Sequence, residues 1–343
     1  MNAATPSGLR ALDERVLDMD ADAVAERVCR RVRESLSREL SRRGLVIAMS
    51  GGIDSSVCAA LCARALGPQR VYGLLLPERE SSSESVSRGM LLARHLGIAW
   101  ELFDIGPTLE ALGCYRSRDQ VFARLFPGYG NGWKSKIVIR GGHEGRFNRF
   151  YVVVQAPDGR SAERRLELGD YLQIVAATNF KQRIRKTLEY FHADRLNYAV
   201  VGTPNRLEYD QGFFVKNGDG SADIKPIAHL YKTQVYALAR HLGLPEEICC
   251  ATPTTDTYSL AQGQDEFYFA LPYAQMDLAL WAHNHGHTAQ ELALALGITE
   301  GQAAAVYGDI EAKRRATRYL HARPVLIEPV PELHLSAREQ GSS

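Results

Sequence analysis

The chain has 343 residues, which at about 150 residues per domain predicts two domains or one large domain with attachments. Its 41 Lys and Arg residues nearly balance its 40 Asp and Glu residues, so no overall charge favours a nucleic acid or a membrane surface as partner. The N-terminus lacks the apolar core of a secretory leader, no apolar stretch has the length of a membrane span, and the six cysteines show no CxxC spacing, so we expect a cytoplasmic protein with reduced thiols.

Strand-like and helix-like segments alternate along residues 24–203. Short apolar runs suited to buried strands occupy 44–50, 71–77, 100–105 and 198–203, and helical periodicity marks 24–43, 55–67, 85–97, 107–115 and 179–197. Apolar strands that alternate with helices predict a parallel sheet covered on both faces. The predicted fold class is therefore α/β with a doubly wound parallel sheet.

The stretch SGGIDSS, residues 50–56, lies where the first strand should lead into a helix, and ligands bind at such turns. Gly51 and Gly52 let successive N–H groups point into one concavity, and a helix starting near Ser55 adds its free N–H groups and positive dipole end. Asp54 suits this anion cradle if a divalent cation bridges it to phosphate. The alternative is an ordinary glycine turn with Asp54 or Ser55 as the helix N-cap.

This loop lacks the GxxxxGK[ST] and GxGxxG spacings. It resembles instead the pyrophosphate-binding loop of the N-type ATP pyrophosphatases, whose fold is adenine nucleotide alpha-hydrolase-like. Members attach AMP to a substrate and release pyrophosphate, which this loop holds. The resemblance implies ATP binding by the loop residues Ser50, Gly51, Gly52, Ile53, Asp54, Ser55 and Ser56.

Residues 177–242 resemble one branch of that group, the NAD synthetases. They contain, in the family's order, N-x-x-x-R-x-R, VGT, an Asn-x-x-Glu, GFF-x-K, GDG-x-ADI-x-PI and KTQVYALA. The likeness covers about residues 24–115 and 175–325. It implies a ligase that uses ATP and Mg²⁺ to adenylate nicotinic acid adenine dinucleotide, and then ammonia to form NAD with release of AMP and pyrophosphate. No glutaminase-like domain precedes this region, so we expect ammonia to be the nitrogen source, and the family implies a homodimer.

The resemblance assigns roles to individual residues. It implies catalytic roles for Asp54 and Lys216 and metal binding by Asp54 and Glu208. Beyond the loop, it implies nucleotide or substrate contacts at Arg183, Thr203, Lys216, Asp223 and Thr254. A simpler interpretation remains for the charged ones, because Arg183 could belong to a solvated helix face, and Lys216 and Glu208 could be surface charges.

Three departures from the family concern the second substrate. Pro204 replaces an acidic residue or glycine, Ala251 stands where the family usually has lysine, and residues 127–170 form an insertion. Strand-like runs and a turn at 157–159 predict that this insertion is a β-hairpin or a three-stranded flap. Two alternatives therefore stay open: a related ligase that amidates a different carboxylate, and an ATP-binding regulatory protein without turnover.

We expect residues 1–126 and 171–262 to form the nucleotide-binding domain and residues 263–343 to form its helical C-terminal part. Within that part, residues 287–315 resemble a helix-turn-helix with a Thr288–Glu291 capping box. Any helical hairpin needs such a link, and the near-zero net charge favours no nucleic-acid partner. The alternating histidines at 283–287 have no adjacent acidic or cysteine partner, which favours a hydrated helix end over a metal site.

Overall fold

The structure is a computed structural model that describes residues 12–140, 149–251, 260, 271–328 and 330. Its strands are β1 (Leu45–Ala48), β2 (Val71–Leu75), β3 (Ala99–Leu102), β4 (Lys134–Arg140), β5 (Arg149–Gln155), β6 (Ser161–Arg165) and β7 (Ala199–Val200). Four of them form a parallel sheet in the order β3–β2–β1–β7, and β4, β5 and β6 form a separate antiparallel sheet.

The described helices are α1 (Ala21–Glu34), α2 (Ile53–Leu66), α3 (Ser83–Leu96), α4 (Gly106–Ala111), α5 (Cys114–Leu125), α6 (Leu168–Leu196), α7 (Arg206–Gln211), α8 (Lys232–His241), α9 (Glu246–Cys249), α10 (Tyr273–Asn284), α11 (Ala289–Leu296) and α12 (Glu300–His321). A π-helical turn, Ser35–Glu39, continues α1. The helix predicted over 24–43 therefore loses regular α-helical geometry after Glu34.

Helices cover both faces of the parallel sheet, which confirms the doubly wound α/β prediction. Successive residues of a strand point to opposite faces, so the two sides of β1 enter different cores. Leu45 and Ile47 pack in the core that includes α1, α2 and α8, whereas Val46 packs with Leu74 and the apolar side chains of α6. The strand predicted over 100–105 is shorter and mostly exposed, because β3 is the edge of the sheet.

The antiparallel sheet is the three-stranded flap expected within residues 127–170. Val152 and Val154 of β5 are fully buried against Phe122 of α5 and Ile174 of α6, so the sheet has a core of its own on these two helices. The helix predicted from residue 179 begins earlier, because α6 starts at Leu168 and so includes the last residues of the predicted insertion.

The C-terminal helices form another core. Leu280, Leu292 and Ile310, one from each of α10, α11 and α12, are fully buried there together with Leu207 of α7. The predicted capping box is present, since the Thr288 side chain accepts from the Glu291 N–H and the Glu291 side chain accepts from the Thr288 N–H. Across the described residues, no helix combines the length and apolarity that a bilayer crossing requires.

Candidate active site

The loop between β1 and α2 is shaped by one glycine in particular. Gly51 has a φ of +75°, and a Cβ on it would lie 2.3 Å from the carbonyl oxygen of Ser85, so the close approach of α3 requires glycine there. Gly52 is different, because its φ of −86° suits any residue. The expectation that both glycines need unusual backbone conformations was therefore wrong for Gly52. The helix starts at Ile53 with Gly52 as its N-cap, two residues before the predicted start at Ser55.

Hydroxyl groups hold this loop in place. The Ser55 and Ser56 hydroxyls both donate to the Gly52 carbonyl, at 3.0 and 2.8 Å, and the Ser50 and Ser55 hydroxyls are 3.2 Å apart. Ser56 is fully buried, so its hydroxyl serves the loop itself. The first residues of α2, Ile53, Asp54 and Ser55, line a cavity, and the N-terminus of a helix attracts an anion.

A cavity of about 960 Å³ opens beside this loop. The predicted residues that line it are Ser50, Gly51, Gly52, Ile53, Asp54, Ser55, Arg183, Thr203, Glu208 and Lys216. Of the other described candidates, Ser56 and Asp223 lie outside the cavity wall. Thr254 and the rest of its loop, 253–256, lie outside the described residues.

The two predicted metal-binding carboxylates both line the cavity beside the loop and are linked through Asn205. Asp54 extends from the first turn of α2, and Glu208 from the first turn of α7. Asn205 connects them: its Nδ2 donates to Asp54 Oδ1 at 3.2 Å, and its backbone N–H donates to Glu208 Oε2 at 3.1 Å. Lys232, at the first position of α8, forms a buried ion pair with Asp54 Oδ2.

Two partly buried carboxylates thus lie beside one buried cation. Burial, with the nearby charge of Asp54, raises the pKa of Glu208 to about 8. Burial by itself disfavours a charged Lys232, but the carboxylates of Asp54 and Glu208 outweigh it and raise the pKa of the ammonium. At neutral pH the cluster therefore holds an extra proton on Glu208, and a bound cation would replace it.

Lys216 and Arg183 lie elsewhere on the cavity wall. The Lys216 ammonium donates to the carbonyls of Tyr319 and Ala322, at 2.8 and 2.7 Å, at the C-terminal end of α12. Arg183 donates from Nε to the Lys216 carbonyl at 3.3 Å. Lys216 is thus held at the end of α12 while Asp54 pairs with Lys232, so the structure does not bring the two predicted catalytic side chains into contact.

The carboxylate of Asp223 accepts hydrogen bonds from the protein itself and does not line the cavity. Its Oδ2 accepts from the Val200 N–H at 2.7 Å, and its Oδ1 accepts from the Tyr190 hydroxyl at 3.3 Å. This carboxylate caps the short strand β7, where a neighbouring strand would otherwise supply the acceptor. Thr203 follows β7 and lines the cavity at the carboxyl edge of the sheet.

The cavity also contains a buried ionic cluster that the sequence analysis did not identify. Lys186 donates to Glu189 Oε2 at 2.7 Å on α6, and both side chains are buried. Burial raises the pKa of Glu189 and also that of Asp219, whose Oδ1 accepts from the Val215 N–H at 2.7 Å. All three residues line the cavity, so this part of its wall carries both acidic and basic groups.

Comparison with known proteins places this site in a family. A model described as NAD synthase matches residues 24–124 and 158–318. The NH(3)-dependent NAD(+) synthetase of Rhizobium meliloti (strain 1021) is 56% identical over 318 residues, which is 92% of this chain and 95% of that relative. The protein of the same name from Rhizobium rhizogenes (strain K84 / ATCC BAA-868) is 52% identical over 331 residues, 96% of this chain and 100% of the relative. The chain belongs to the NAD synthase family.

A solved member of the same fold group agrees with this architecture. The structure of NMN synthetase from Francisella tularensis aligns with a TM-score of 0.63 over 90% of this chain and 99% of that chain, at 20% identity. At this identity the likeness shows the fold. The two stretches matched by the NAD synthase model leave residues 125–157 unmatched, and β4 and β5 lie in that gap.

Two features of this NAD synthase site qualify the sequence-based predictions. The departures Pro204 and Ala251 both line the cavity, so they adjoin the space available to substrates. Lys232 was not singled out, although it begins the KTQVYALA motif. Its position gave a signal, because a lysine at the first position of a helix faces an unfavourable dipole unless an acid compensates it.

Proposed function

We propose that the chain is an ammonia-dependent NAD synthetase that converts nicotinic acid adenine dinucleotide, ATP and ammonia to NAD, AMP and pyrophosphate. The observation that carries this proposal is the meeting of Asp54, Glu208 and Lys232 beside the N–H groups of the loop at 50–56, inside one large cavity. The relatives that share more than half of its residues bear the same name, which supports the proposal.

The first step joins the substrate carboxylate to the α-phosphorus of ATP. One phosphorus–oxygen bond forms, the bond to the leaving pyrophosphate breaks, and negative charge accumulates on the leaving group. The N–H groups at the start of α2 and the ammonium of Lys232 are placed to offset that charge. In the second step ammonia attacks the acyl carbon of the acyl-adenylate, and AMP leaves with the oxygen that joined it to the acid.

We propose that Asp54 and Glu208 hold Mg²⁺. Two carboxylates joined by Asn205 provide the hard oxygen donors that this ion prefers, and burial together with the charge of Asp54 raises the pKa of Glu208. Bound Mg²⁺ would supply charge neutralisation to the phosphates. Asp54 and Glu208 orient the cation site, Asn205 fixes their spacing, and the apolar part of the wall limits access of water.

We also propose a cytoplasmic homodimer. All six cysteines lie in the described ranges and are free thiols, which suits a reducing compartment. Leu168 and Leu172, one turn apart on α6, are 71% and 53% exposed. Large apolar side chains exposed on one helix face support an interface with a second copy.

The test is a reaction with purified protein, ATP, Mg²⁺, ammonium and nicotinic acid adenine dinucleotide. Formation of NAD, AMP and pyrophosphate in equal amounts is expected. The same reaction with other pyridine and aliphatic carboxylates distinguishes a related ligase, and absence of pyrophosphate from ATP-binding protein would identify a regulator without turnover. An Asp54→Asn variant is expected to lose product formation while retaining its far-ultraviolet circular dichroism.

A further inference from the structure

An aromatic pair marks the end of the cavity on the side of the small sheet. The rings of Phe150 in β5 and Tyr171 in α6 stack with their centroids 4.0 Å apart and their planes inclined by 23°. Both side chains line the cavity, and both are only partly buried at the edge of the core under that sheet. Phe150 belongs to the segment that the NAD synthase model leaves unmatched.

The position of the pair follows from the direction of α6. The helix residues that line the cavity form one stripe from its first turns to Glu189: Tyr171, Val175, Thr178, Asn179, Gln182, Arg183, Arg185, Lys186 and Glu189. Arg185 is at the sheet, because its Nε donates to the carbonyl of Leu76 just after β2 at 3.1 Å. At 1.5 Å per residue, Tyr171 precedes Arg185 along the axis by about 21 Å. The aromatic pair therefore lies far along the cavity from the end of the sheet.

The wall between these two ends begins with Val175 and Thr178 next to the aromatic pair. Asn179 and Gln182 come next, and Arg183 follows. A polar and cationic wall that leads to a flat aromatic surface matches the adenosine half of a dinucleotide, in which a planar base is joined through ribose to a pyrophosphate. Aromatic side chains bind bases by stacking, with little dependence on hydrogen bonds.

Accepting the function proposed above, we infer that Phe150 and Tyr171 form a stacking site for the adenine base of nicotinic acid adenine dinucleotide. The reacting carboxylate sits on the nicotinate ring and has to reach the α-phosphorus of ATP at the loop of residues 50–56. The nicotinate ring is therefore confined to the loop end of the cavity. The adenine base, at the other end of the same extended molecule, is thereby directed towards the distant aromatic site.

The test compares two acids with Phe150→Leu, which keeps apolar volume but removes the ring. For this variant the KM for nicotinic acid adenine dinucleotide is expected to rise about tenfold, within the range of base-stacking losses, with kcat changed less than about twofold. Nicotinic acid mononucleotide has no adenosine. Its KM, or its inhibition constant against the dinucleotide where turnover is slow, is expected to be unchanged, as is the KM for ATP.

Matched variants separate stacking from structural effects. Phe150→Tyr keeps a ring and is expected to restore the wild-type KM. Phe191→Ala removes a ring from the same helix as Tyr171, but Phe191 is 58% exposed and lies outside the set of residues lining the cavity, so no change of KM is expected. Thermal unfolding of each variant shows whether the small sheet remains folded.

Several results would overturn the inference. A raised KM for ATP alone would assign the aromatic pair to the adenine of ATP. An equal rise of KM for the dinucleotide and the mononucleotide would place the nicotinate ring at the aromatic pair. Unchanged kinetics in a folded Phe150→Leu protein would exclude a binding role for the pair. Failure of the proposed function is distinguishable, since the wild-type protein would then form no NAD from any of these mixtures.

Discussion

Lys232 forms an ion pair with Asp54 across 178 positions of sequence, and the exposed fractions of the two side chains are 3% and 16%. The pair brings the N-terminus of α8 to the loop that follows β1. Glu208 lies in the same cluster, linked to Asp54 through Asn205. The charge of this single lysine therefore influences both carboxylates proposed to bind the metal.

Replacement of Lys232 by methionine is expected to reduce kcat/KM by at least about a hundredfold, since a preorganised positive charge at the leaving pyrophosphate is lost. It leaves Asp54 without its cation, so the free energy of unfolding should fall by about 3–5 kcal/mol. Steady-state kinetics and urea denaturation at pH 8 measure the two effects. Lys134→Met, at an exposed position on β4, is the matched control. Near-normal activity in folded Lys232→Met protein would contradict the assignment.

Glu208 should make stability depend on pH. Its pKa is raised from 4.5 to about 8, so between these values the folded state binds a proton that the unfolded chain has released. Below pH 4.5 the carboxyl is protonated in both states and does not lower the free energy of unfolding. As the pH rises from 4.5 towards 8, the free energy of unfolding falls by at most about 1.4 kcal/mol per pH unit. Glu208→Gln removes this pH dependence. We therefore expect the free energy of unfolding of the variant, relative to that of the wild type, to increase from pH 5 to pH 8 in EDTA.

The control for this pH series is Glu163→Gln, on the exposed strand β6. It should run parallel to the wild type across the same range. Addition of Mg²⁺ to the wild-type protein at pH 7 should release protons, because the metal displaces the proton on Glu208. Parallel stability curves for Glu208→Gln and wild type would show that this carboxyl is ionised in the folded protein at neutral pH.

The two loop glycines should respond differently to alanine. In Gly51→Ala the new Cβ meets the Ser85 carbonyl oxygen at 2.3 Å and the φ of +75° is unfavourable, so we expect a loss of about 1–3 kcal/mol of stability. In Gly52→Ala the nearest atom is Ser50 Oγ at 3.3 Å, and stability should change by less than about 1 kcal/mol. Chemical denaturation checks both, and equal losses would mean that the loop conformation is wrong.

A buried ionic network should stabilise the segment that follows β2. Lys181 of α6 donates to Glu78 Oε1 at 3.0 Å and also pairs with Glu80, and all three side chains are at most 5% exposed. Lys181→Met leaves the buried carboxylate of Glu78 without its cation, whereas Glu80 keeps its ion pair with Arg118, so the expected loss is about 3 kcal/mol of unfolding free energy. Arg124→Met breaks the more exposed pair with Asp170 and should cost at most about 1 kcal/mol. Similar losses of unfolding free energy in the two variants would contradict the expectation that a buried ion pair costs more to break than an exposed one.

Sequence patterns predicted the elements that depend on local chemistry. The alternation of apolar runs and helical segments predicted the parallel sheet, and the spacing of Thr288 and Glu291 predicted the cap of α11, because each depends on neighbours within a few residues. Helix limits were less accurate. The strand-like run at 164–169 overlaps the start of α6 at Leu168, because a short apolar–polar alternation suits either element.

The candidate site could be predicted only where one motif carries it. SGGIDSS placed Asp54 at the start of α2, but its partners Asn205 and Lys232 are distant in sequence and meet it only after the sheet and α8 have packed. The same holds for Phe150 and Tyr171, which come together because the small sheet folds onto α6. Lys216 is a further example. Its motif implied a catalytic role, but the motif did not indicate that carbonyls at the end of α12 would accept hydrogen bonds from its ammonium.

The most direct test of the proposed chemistry follows the oxygen atoms of the acid. Nicotinic acid adenine dinucleotide labelled with heavy oxygen in its carboxylate is incubated with the protein, ATP, Mg²⁺ and ammonium, and the products are analysed by mass spectrometry. If an acyl-adenylate forms at the Asp54–Glu208–Lys232 site, one labelled oxygen appears in AMP, one stays in the amide of NAD, and pyrophosphate carries none. Label in phosphate together with ADP formation, or AMP without label, would contradict it.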